Sequence, residues 1–362
     1  MNLLGEELAS IIAQEGPISV ERYMSICLGH PTMGYYTAHD PFGSGGDFVT
    51  SPEISQMFGE LVGLWAAEAW TLCGGPQPSR LAELGPGRGL LMADALRALR
   101  VAKSFFSTLE VTMVETSRKL VAEQQARLIG VGRPVAWVDN IEKLPPAPAI
   151  VLANEFFDAL PVRHYVKTDR GWCERQVGFV DGRFVFGAAP DPEPYLKADA
   201  PVGSIVEVCA MAQRMMTRLA VDVVTHGGAL LVIDYGHTET VLGETLQAMR
   251  HHAFVDPLEN PGEADLTAHV DFAALGRAAR AAGARVHGPV TQGAFLNQIG
   301  IGRRAEALTR KATLAQQIEI NASLKRLTSE AAPTDMGALF KVMAVTRRDV
   351  ETLPGFLELE NA

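Results

Sequence analysis

Glu83, Gly85, Gly87 and Gly89 follow the spacing E-x-G-x-G-x-G, between an apolar run (Leu81, Ala82, Leu84) and a helix-compatible run over residues 90–100. That order reads as strand, tight glycine turn and helix start. Such a turn lets backbone N–H groups and a helix N-terminus close on a ligand with no side chain in the way. Alone it is a weak signal, because glycine punctuates many strand-to-helix turns. Further polar groups stand at the ends of other apolar runs: Glu115 after 109–114, Asp139 and Asn140 after 135–138, Asn154 and Glu155 after 149–153, and Asp234 after 229–233. Glu115 lies one helix and one strand beyond the glycines, where an acid can accept hydrogen bonds from both hydroxyls of a ribose. Asp139, with Asn140 beside it, is placed to reach an adenine amino group; capping a helix is the other use of such a residue.

The elements that must position these groups are alternating strands and helices. Five apolar runs that each end in an acid or an amide predict an α/β, doubly wound parallel sheet with its ligand at the carboxyl edge. A dinucleotide fingerprint would need a glycine at position 90, and Leu90 stands there. The shorter glycine pattern shifts the expected ligand from NAD toward S-adenosylmethionine.

Ahead of the sheet, residues 2–15 and 20–28 have helical apolar spacing, with Ser19 as the cap of the second helix. Residues 29–52 are rich in Gly, Pro, Thr and aromatics and are expected to form an ordered lid. Residues 53–72 predict one amphipathic helix capped by Thr50 or Ser51. Between strands four and five, residues 162–204 alternate as hairpins, with turns at Asp169-Arg170-Gly171 and Asp181-Gly182. Residues 207–219 predict a helix, 236–270 an irregular segment, 271–282 a helix, 283–286 a sixth strand, 295–328 a helical hairpin, and 338–346 a last strand. The expected division is an N-terminal helical and lid segment (1–78), a core (79–348) with insertions at 162–204, 236–270 and 291–330, and a tail (349–362).

Composition narrows the function classes. With 362 residues and 47% hydrophobic content, the chain can bury a core without metal or disulfide support. A net charge of −10 argues against binding nucleic acid through a general basic surface. The four cysteines are scattered without a C-x-x-C pair, which reads as reduced thiols. No histidine or cysteine spacing marks a metal site. No apolar run is long enough to span a bilayer. The start has neither the charged-then-apolar order of a signal peptide nor the composition of a transit peptide, so a cytoplasmic protein is expected.

Six segments carry a family resemblance: GHPTMGYY (29–36), GDFVTSPEISQMFGE (46–60), ELGPGRG (83–89), NEFFDALPV (154–162), IDYGH (233–237) and DLTAHVDF (265–272). With these the chain resembles the MidA-type class I S-adenosylmethionine-dependent methyltransferases, the family of the mitochondrial complex I assembly methyltransferase, along nearly its whole length. The resemblance implies a seven-stranded, Rossmann-like methyltransferase sheet whose last strand, 338–346, runs antiparallel. The implied activity is symmetric dimethylation of an arginine in the large peripheral-arm subunit of NADH:quinone oxidoreductase.

Arginine stays protonated, so transfer to it requires groups that hold the guanidinium fork and leave one nitrogen aimed at the methyl group. The resemblance places Glu155 and Asp158 at that task, with Phe156 and Phe157 as pocket walls and Asn154 on the methionine part of the cofactor. Asp47 and Thr50 in the expected lid would face the cofactor. Glu53 is a further catalytic candidate, although an acid at a helix start is also favoured by the helix dipole alone. Transfer to another protein or a small molecule, and a non-enzymatic assembly chaperone that keeps the cofactor pocket, remain alternatives.

Overall fold

A computed structural model describes residues 1–38 and 50–357 of the chain. The protein divides into two compact units that are interleaved in sequence. One comprises Thr50–Phe157, Arg214–Glu239 and Val270–Ala362; the other comprises Met1–Val49, Asp158–Gln213 and Thr240–His269.

The first of these units is built on seven strands: β1 (Ser79–Leu84), β2 (Leu109–Val114), β3 (Val135–Val138), β4 (Ala149–Asn154), β5 (Gly228–His237), β6 (Arg285–Thr291) and β7 (Phe340–Thr346). Their spatial order is β3-β2-β1-β4-β5-β7-β6, and the two-residue strand Val270–Asp271 adds to the end of β5. All neighbours from β3 to β5 are parallel, and β7 runs antiparallel between β5 and β6. The last-strand expectation therefore holds in both place and direction. β1, β2, β4 and β5 are near-continuous buried runs, the pattern of a sheet covered on both faces. Registry aligns their carboxyl ends: Leu84 pairs with Val114 and Ala153, Val114 with Val138, and Ile233 with Asn154. That alignment brings residues 85, 115, 139, 155 and 234 to one edge, and chain order reverses there between β1 and β4.

The helix expected over 53–72 is broken. A one-turn helix, Ser51–Ile54, precedes a long one, Gln56–Leu72. Ser55 between them is extended, and its side chain accepts a hydrogen bond from Met57 N, capping the second helix afresh. The long helix is amphipathic as expected: Met57, Phe58, Leu61, Val62, Trp65, Ala66, Ala69 and Trp70 are buried in the core, and Leu64, Glu68 and Thr71 form an exposed stripe. The expected hairpin at 295–328 consists of three helices, Gln292–Gln298, Ile301–Thr309 and Leu314–Thr328. Gly300, at φ 96°, starts the second, and Thr313 caps the third.

The other unit holds an antiparallel sheet in the order Ile18–Ser19, Gly171–Val180, Arg163–Thr168, Ile205–Val208, with Arg183–Pro192 also paired to Gly171–Val180. The Asp181-Gly182 turn has both residues at positive φ (48° and 76°), as a two-residue hairpin requires. The helix expected over 207–219 starts later: Ile205–Val208 is a strand, and the helix begins at Ala210 and runs to His226. Glu207 decides this, because its carboxylate accepts from Thr245 N and Leu246 N and pairs with buried His164. The stretch 236–270, expected to be irregular, contains a three-stranded sheet of Gln247–Arg250, Ala253–Val255 and Asp265–Thr267. These strands are too short for alternation to be visible against the surrounding turn residues. The N-terminal helices Leu3–Glu15 and Val20–Gly29 share this unit's core through Leu4, Leu8, Tyr23, Met24 and Cys27. Among the described residues, no helix is long and apolar enough to cross a membrane.

Candidate functional site at the carboxyl edge of the sheet

The glycine turn leaves β1 with Gly85, Gly87 and Gly89 all in the left-handed region, at φ 59°, 49° and 75°. A Cβ on Gly85 would also lie 2.9 Å from Phe156 Cδ2, so both conformation and space exclude a side chain there. Gly89 is the N-cap of the helix Leu90–Leu99 and offers that helix no side-chain acceptor. Buried Glu83 compensates, its carboxylate accepting from the backbone of Met92 in the first turn. Burial, opposed by this bond and reinforced by the charge of Glu115, pushes the Glu83 carboxyl up to about 8.

Glu115 is fastened at the next strand end. Its backbone N–H donates to Val138 O at 2.9 Å. Its Oε1 accepts from Ser117 N at 2.7 Å and its Oε2 from Gln124 Nε2 at 3.2 Å. Burial raises its carboxyl above the ordinary carboxylate range, while these donors pull it back. Gln124, fully buried on the helix Arg118–Arg127, also donates to Gly87 O at 2.7 Å and accepts from Trp137 Nε1 at 2.9 Å. One carboxamide thus ties the glycine turn, the strand-two acid and the third strand together. Neither Gln124 nor Trp137 belongs to a motif visible in the sequence. The available signal was a glutamine four residues after buried Leu120, on the helix's inward face.

At the third strand end, Asp139 is exposed, bonded to Lys143 Nζ at 2.8 Å and to Asn140 Nδ2 at 2.8 Å. The Lys143 contact holds its carboxyl below the ordinary value. Asn140 caps the short 3-10 turn Ile141–Lys143 through Lys143 N.

At the fourth, Glu155 adopts φ 48°, a left-handed conformation that is costly for a non-glycine residue and is retained where surroundings enforce it. The enforcing contacts are specific. Glu155 N donates to Ile233 O at 2.8 Å, and Asp234 Oδ2 accepts from Phe156 N at 3.2 Å and Phe157 N at 3.0 Å. Asp234 is itself fully buried. Glu155 Oε1 accepts from Ser51 N and Asn154 Nδ2, each at 3.0 Å. Phe156 and Phe157 meet edge to face, with Phe157 in the core.

Two other sequence candidates flank Ser51, whose N–H donates to Glu155. Thr50 N donates to Glu53 Oε2 at 3.2 Å, so Thr50 and Glu53 close the cap of the helix Ser51–Ile54. Asp158 belongs to the other unit, where its carbonyl accepts from Ala268 N and its carboxylate raises the buried Tyr36 hydroxyl, after burial itself and the hydrogen-bonded Asp265. Asp47 lies outside the described residues.

The edge is rich in acceptors. Two buried oxygens, Glu83 Oε2 and Asn154 Oδ1, have no hydrogen-bond partner among the described residues. Buried polar atoms are ordinarily satisfied, so such orphans mark where a ligand's donors fit. Among the described residues no three His, Cys, Asp or Glu side chains gather as a metal site. A ligand with ribose hydroxyls and an ammonium group matches this set.

Comparison with known proteins gives the same picture. Residues 61–290 match the model of a family described as S-adenosyl-L-methionine-dependent methyltransferases. The chain is 36% identical, over 98% of its length and 92% of the relative's, to the zebrafish (Danio rerio) protein named protein arginine methyltransferase NDUFAF7, mitochondrial. The human protein of the same name is 38% identical, over 83% of this chain and 74% of its own. The crystal structure of a Burkholderia thailandensis protein bound to S-adenosyl-homocysteine superposes with a TM-score of 0.84 at 31% identity, covering 97% of this chain and 93% of that one. The mitochondrial names of these relatives overturn the cytoplasmic expectation. Scattered free thiols fit any reducing environment and do not identify one compartment.

Proposed function

The chain belongs to the family of S-adenosylmethionine-dependent methyltransferases, with that molecule as its cofactor, and from this premise we propose that it methylates arginine side chains of a protein. The substrate we favour is a subunit of NADH:quinone oxidoreductase during assembly, with symmetric dimethylation as the product. The arginine-methyltransferase names of relatives at 36% and 38% identity support the substrate class. The observation that carries the reading is Glu155, an acid locked in a strained conformation beside the glycine turn.

Glu115 and Asn154 are acceptors suited to hold the cofactor's ribose and ammonium groups, with Glu83 buried beside the glycine turn and Asp139 at the strand beyond. Gly85, Gly87 and Gly89 give it backbone access, and Asn140 and Thr50 hold the neighbouring turns. When bound, S-adenosylmethionine supplies an electrophilic methyl group. Glu155 would hold the guanidinium fork by charge-assisted hydrogen bonds and draw positive charge away from the remaining nitrogen. Because Asp234 fixes the turn that carries it, the carboxylate is aimed before substrate arrives, which is a positioning effect. Asp158 and Glu53 remain candidates for holding the substrate; the cap made by Glu53 is equally explained by the helix it starts.

The test is label transfer from methyl-labelled cofactor to subunits of NADH:quinone oxidoreductase, followed by mass spectrometry of arginine. Wild-type protein is expected to yield dimethylarginine. Glu115→Ala is expected to lose cofactor binding, and Glu155→Ala to bind cofactor but lose transfer at least 100-fold, roughly 3 kcal/mol of transition-state stabilisation. Label appearing only in a low-molecular-mass fraction would refute the protein substrate. Normal transfer by Glu155→Ala would refute the role given to that acid.

A further inference from the structure

We infer that Glu83 carries a proton in the free protein and surrenders it to solvent when S-adenosylmethionine binds, whereas neutral S-adenosylhomocysteine binds with that proton retained. The inference rests on the placement of the cofactor at this sheet edge.

Of the two acids beside the glycine turn, the hydrogen bonds decide which one holds the proton. Glu115 has a donor on each oxygen, Ser117 N on Oε1 and Gln124 Nε2 on Oε2, and donors favour the ionised form. Glu83 has the backbone of Met92 alone, and its Oε2 is buried without a partner. Glu83 is only 3% exposed, so water does not make up the difference. The charged groups on the elements packed around it are already committed. Arg88 of the turn pairs with Glu123 at 3.4 Å, Asp94 of the following helix pairs with Arg97 at 2.7 Å, and Glu155 accepts from Ser51 and Asn154. Among the described residues no cation pairs with Glu83, and Glu115 adds negative charge against its ionisation.

S-adenosylmethionine carries one more positive charge than S-adenosylhomocysteine, on its sulfonium. A buried carboxyl held near the top of its range ionises when such a charge enters the same desolvated site. The O–H bond of Glu83 breaks, the proton leaves to solvent, and the carboxylate faces a cation. Loss of the methyl group removes that cation, and Glu83 takes a proton back from solvent. The residue would thereby favour the substrate form of the cofactor over the spent form, and the preference would weaken as pH falls below the range where Glu83 ionises unaided, because binding must then expel the proton.

The experiment is calorimetric titration at pH 7 in two buffers of different ionisation enthalpy, using wild type and the near-isosteric Glu83→Gln, which keeps an acceptor for Met92. With the Glu83 carboxyl at about 8, about 0.9 proton per site is expected to be released by wild type on binding S-adenosylmethionine beyond that released by the variant. The sign follows from ionisation: the charged fraction of free Glu83 rises from about 0.1 at pH 7 to about 0.9 at pH 9, so wild-type affinity should gain about tenfold over that interval relative to Glu83→Gln. Comparison with the variant removes the titration of the ligand's own amine. An infrared difference spectrum of wild type, which needs no variant, should lose a protonated carboxyl band on binding S-adenosylmethionine and keep it with S-adenosylhomocysteine. Equal proton release from the two proteins, or an unchanged carboxyl band, would overturn the inference while leaving the cofactor site intact. No binding of either ligand by wild type would overturn the cofactor site and this inference with it.

Discussion

Replacing Gln124 with leucine removes a side chain that touches no ligand in our reading and yet should weaken both the fold and the site. Three hydrogen bonds go at once: Nε2 to Gly87 O, Nε2 to Glu115 Oε2, and Trp137 Nε1 to Oε1. Gln124 is fully buried, so water cannot replace them without entering the core. Leaving a buried donor or acceptor unpaired costs about 1–3 kcal/mol, and three such groups set an upper range of about 3–9 kcal/mol. Leucine offsets part of this through apolar burial worth roughly 1.5–3 kcal/mol. The expected net loss is about 2–5 kcal/mol, measured by urea unfolding in the absence of cofactor. Cofactor affinity should fall at least tenfold, about 1.4 kcal/mol, because Glu115 and the glycine turn lose the group that fixes their separation. Gln124→Glu tests the same argument by charge. A second carboxylate beside Glu115 and Gly87 O is repulsive, and protonation at lower pH restores a donor, so this variant should recover stability as pH is lowered from 8 to 5, relative to Gln124→Leu. A stability change within 0.5 kcal/mol of zero for Gln124→Leu, together with unchanged affinity, would show that the carboxamide is a passive filler and refute the reasoning.

Two other substitutions test the turn and the strand end. Gly85→Ala forces a side chain into a left-handed position and to within 2.9 Å of Phe156 Cδ2; a stability loss of about 1–3 kcal/mol is expected by thermal unfolding, with weakened cofactor binding by calorimetry, and wild-type behaviour in both would contradict the packing described. Asp234→Ala deprives Phe156 N, Phe157 N and Tyr235 N of their carboxylate acceptor. A loss of about 2–5 kcal/mol in urea is expected, with turnover reduced more than cofactor affinity, because the turn it holds carries Glu155; an equal loss in both quantities would argue against a positioning role.

The sheet was legible in the sequence because parallel strands buried on both faces must be written as unbroken apolar runs. β2 and β3 match their expected limits at both ends, and β1 and β4 match within two residues. The polar residue that stops each run is legible for the same reason, which is why Glu115, Asn154 and Glu155 stand out in the sequence. The three glycines were readable too, since few other residues tolerate positive φ in succession. What could not be read is anything decided by a partner distant in the chain. Ser55 breaks a helix that local spacing continues, and Glu207 and Val208 leave a helical pattern to pair with Arg163–Thr168, where Glu207 engages His164 and Thr245. Asp158 lies three residues from Glu155 in sequence and belongs to a different compact unit. Gln124 looks like one more polar helix residue until the fold brings Gly87, Glu115 and Trp137 to it from 37, 9 and 13 positions away. Local periodicity encodes which face of an element is buried. The identity of the atoms waiting on that face, and so the protonation, strain and satisfaction of each polar group, exists only once the chain has closed on itself.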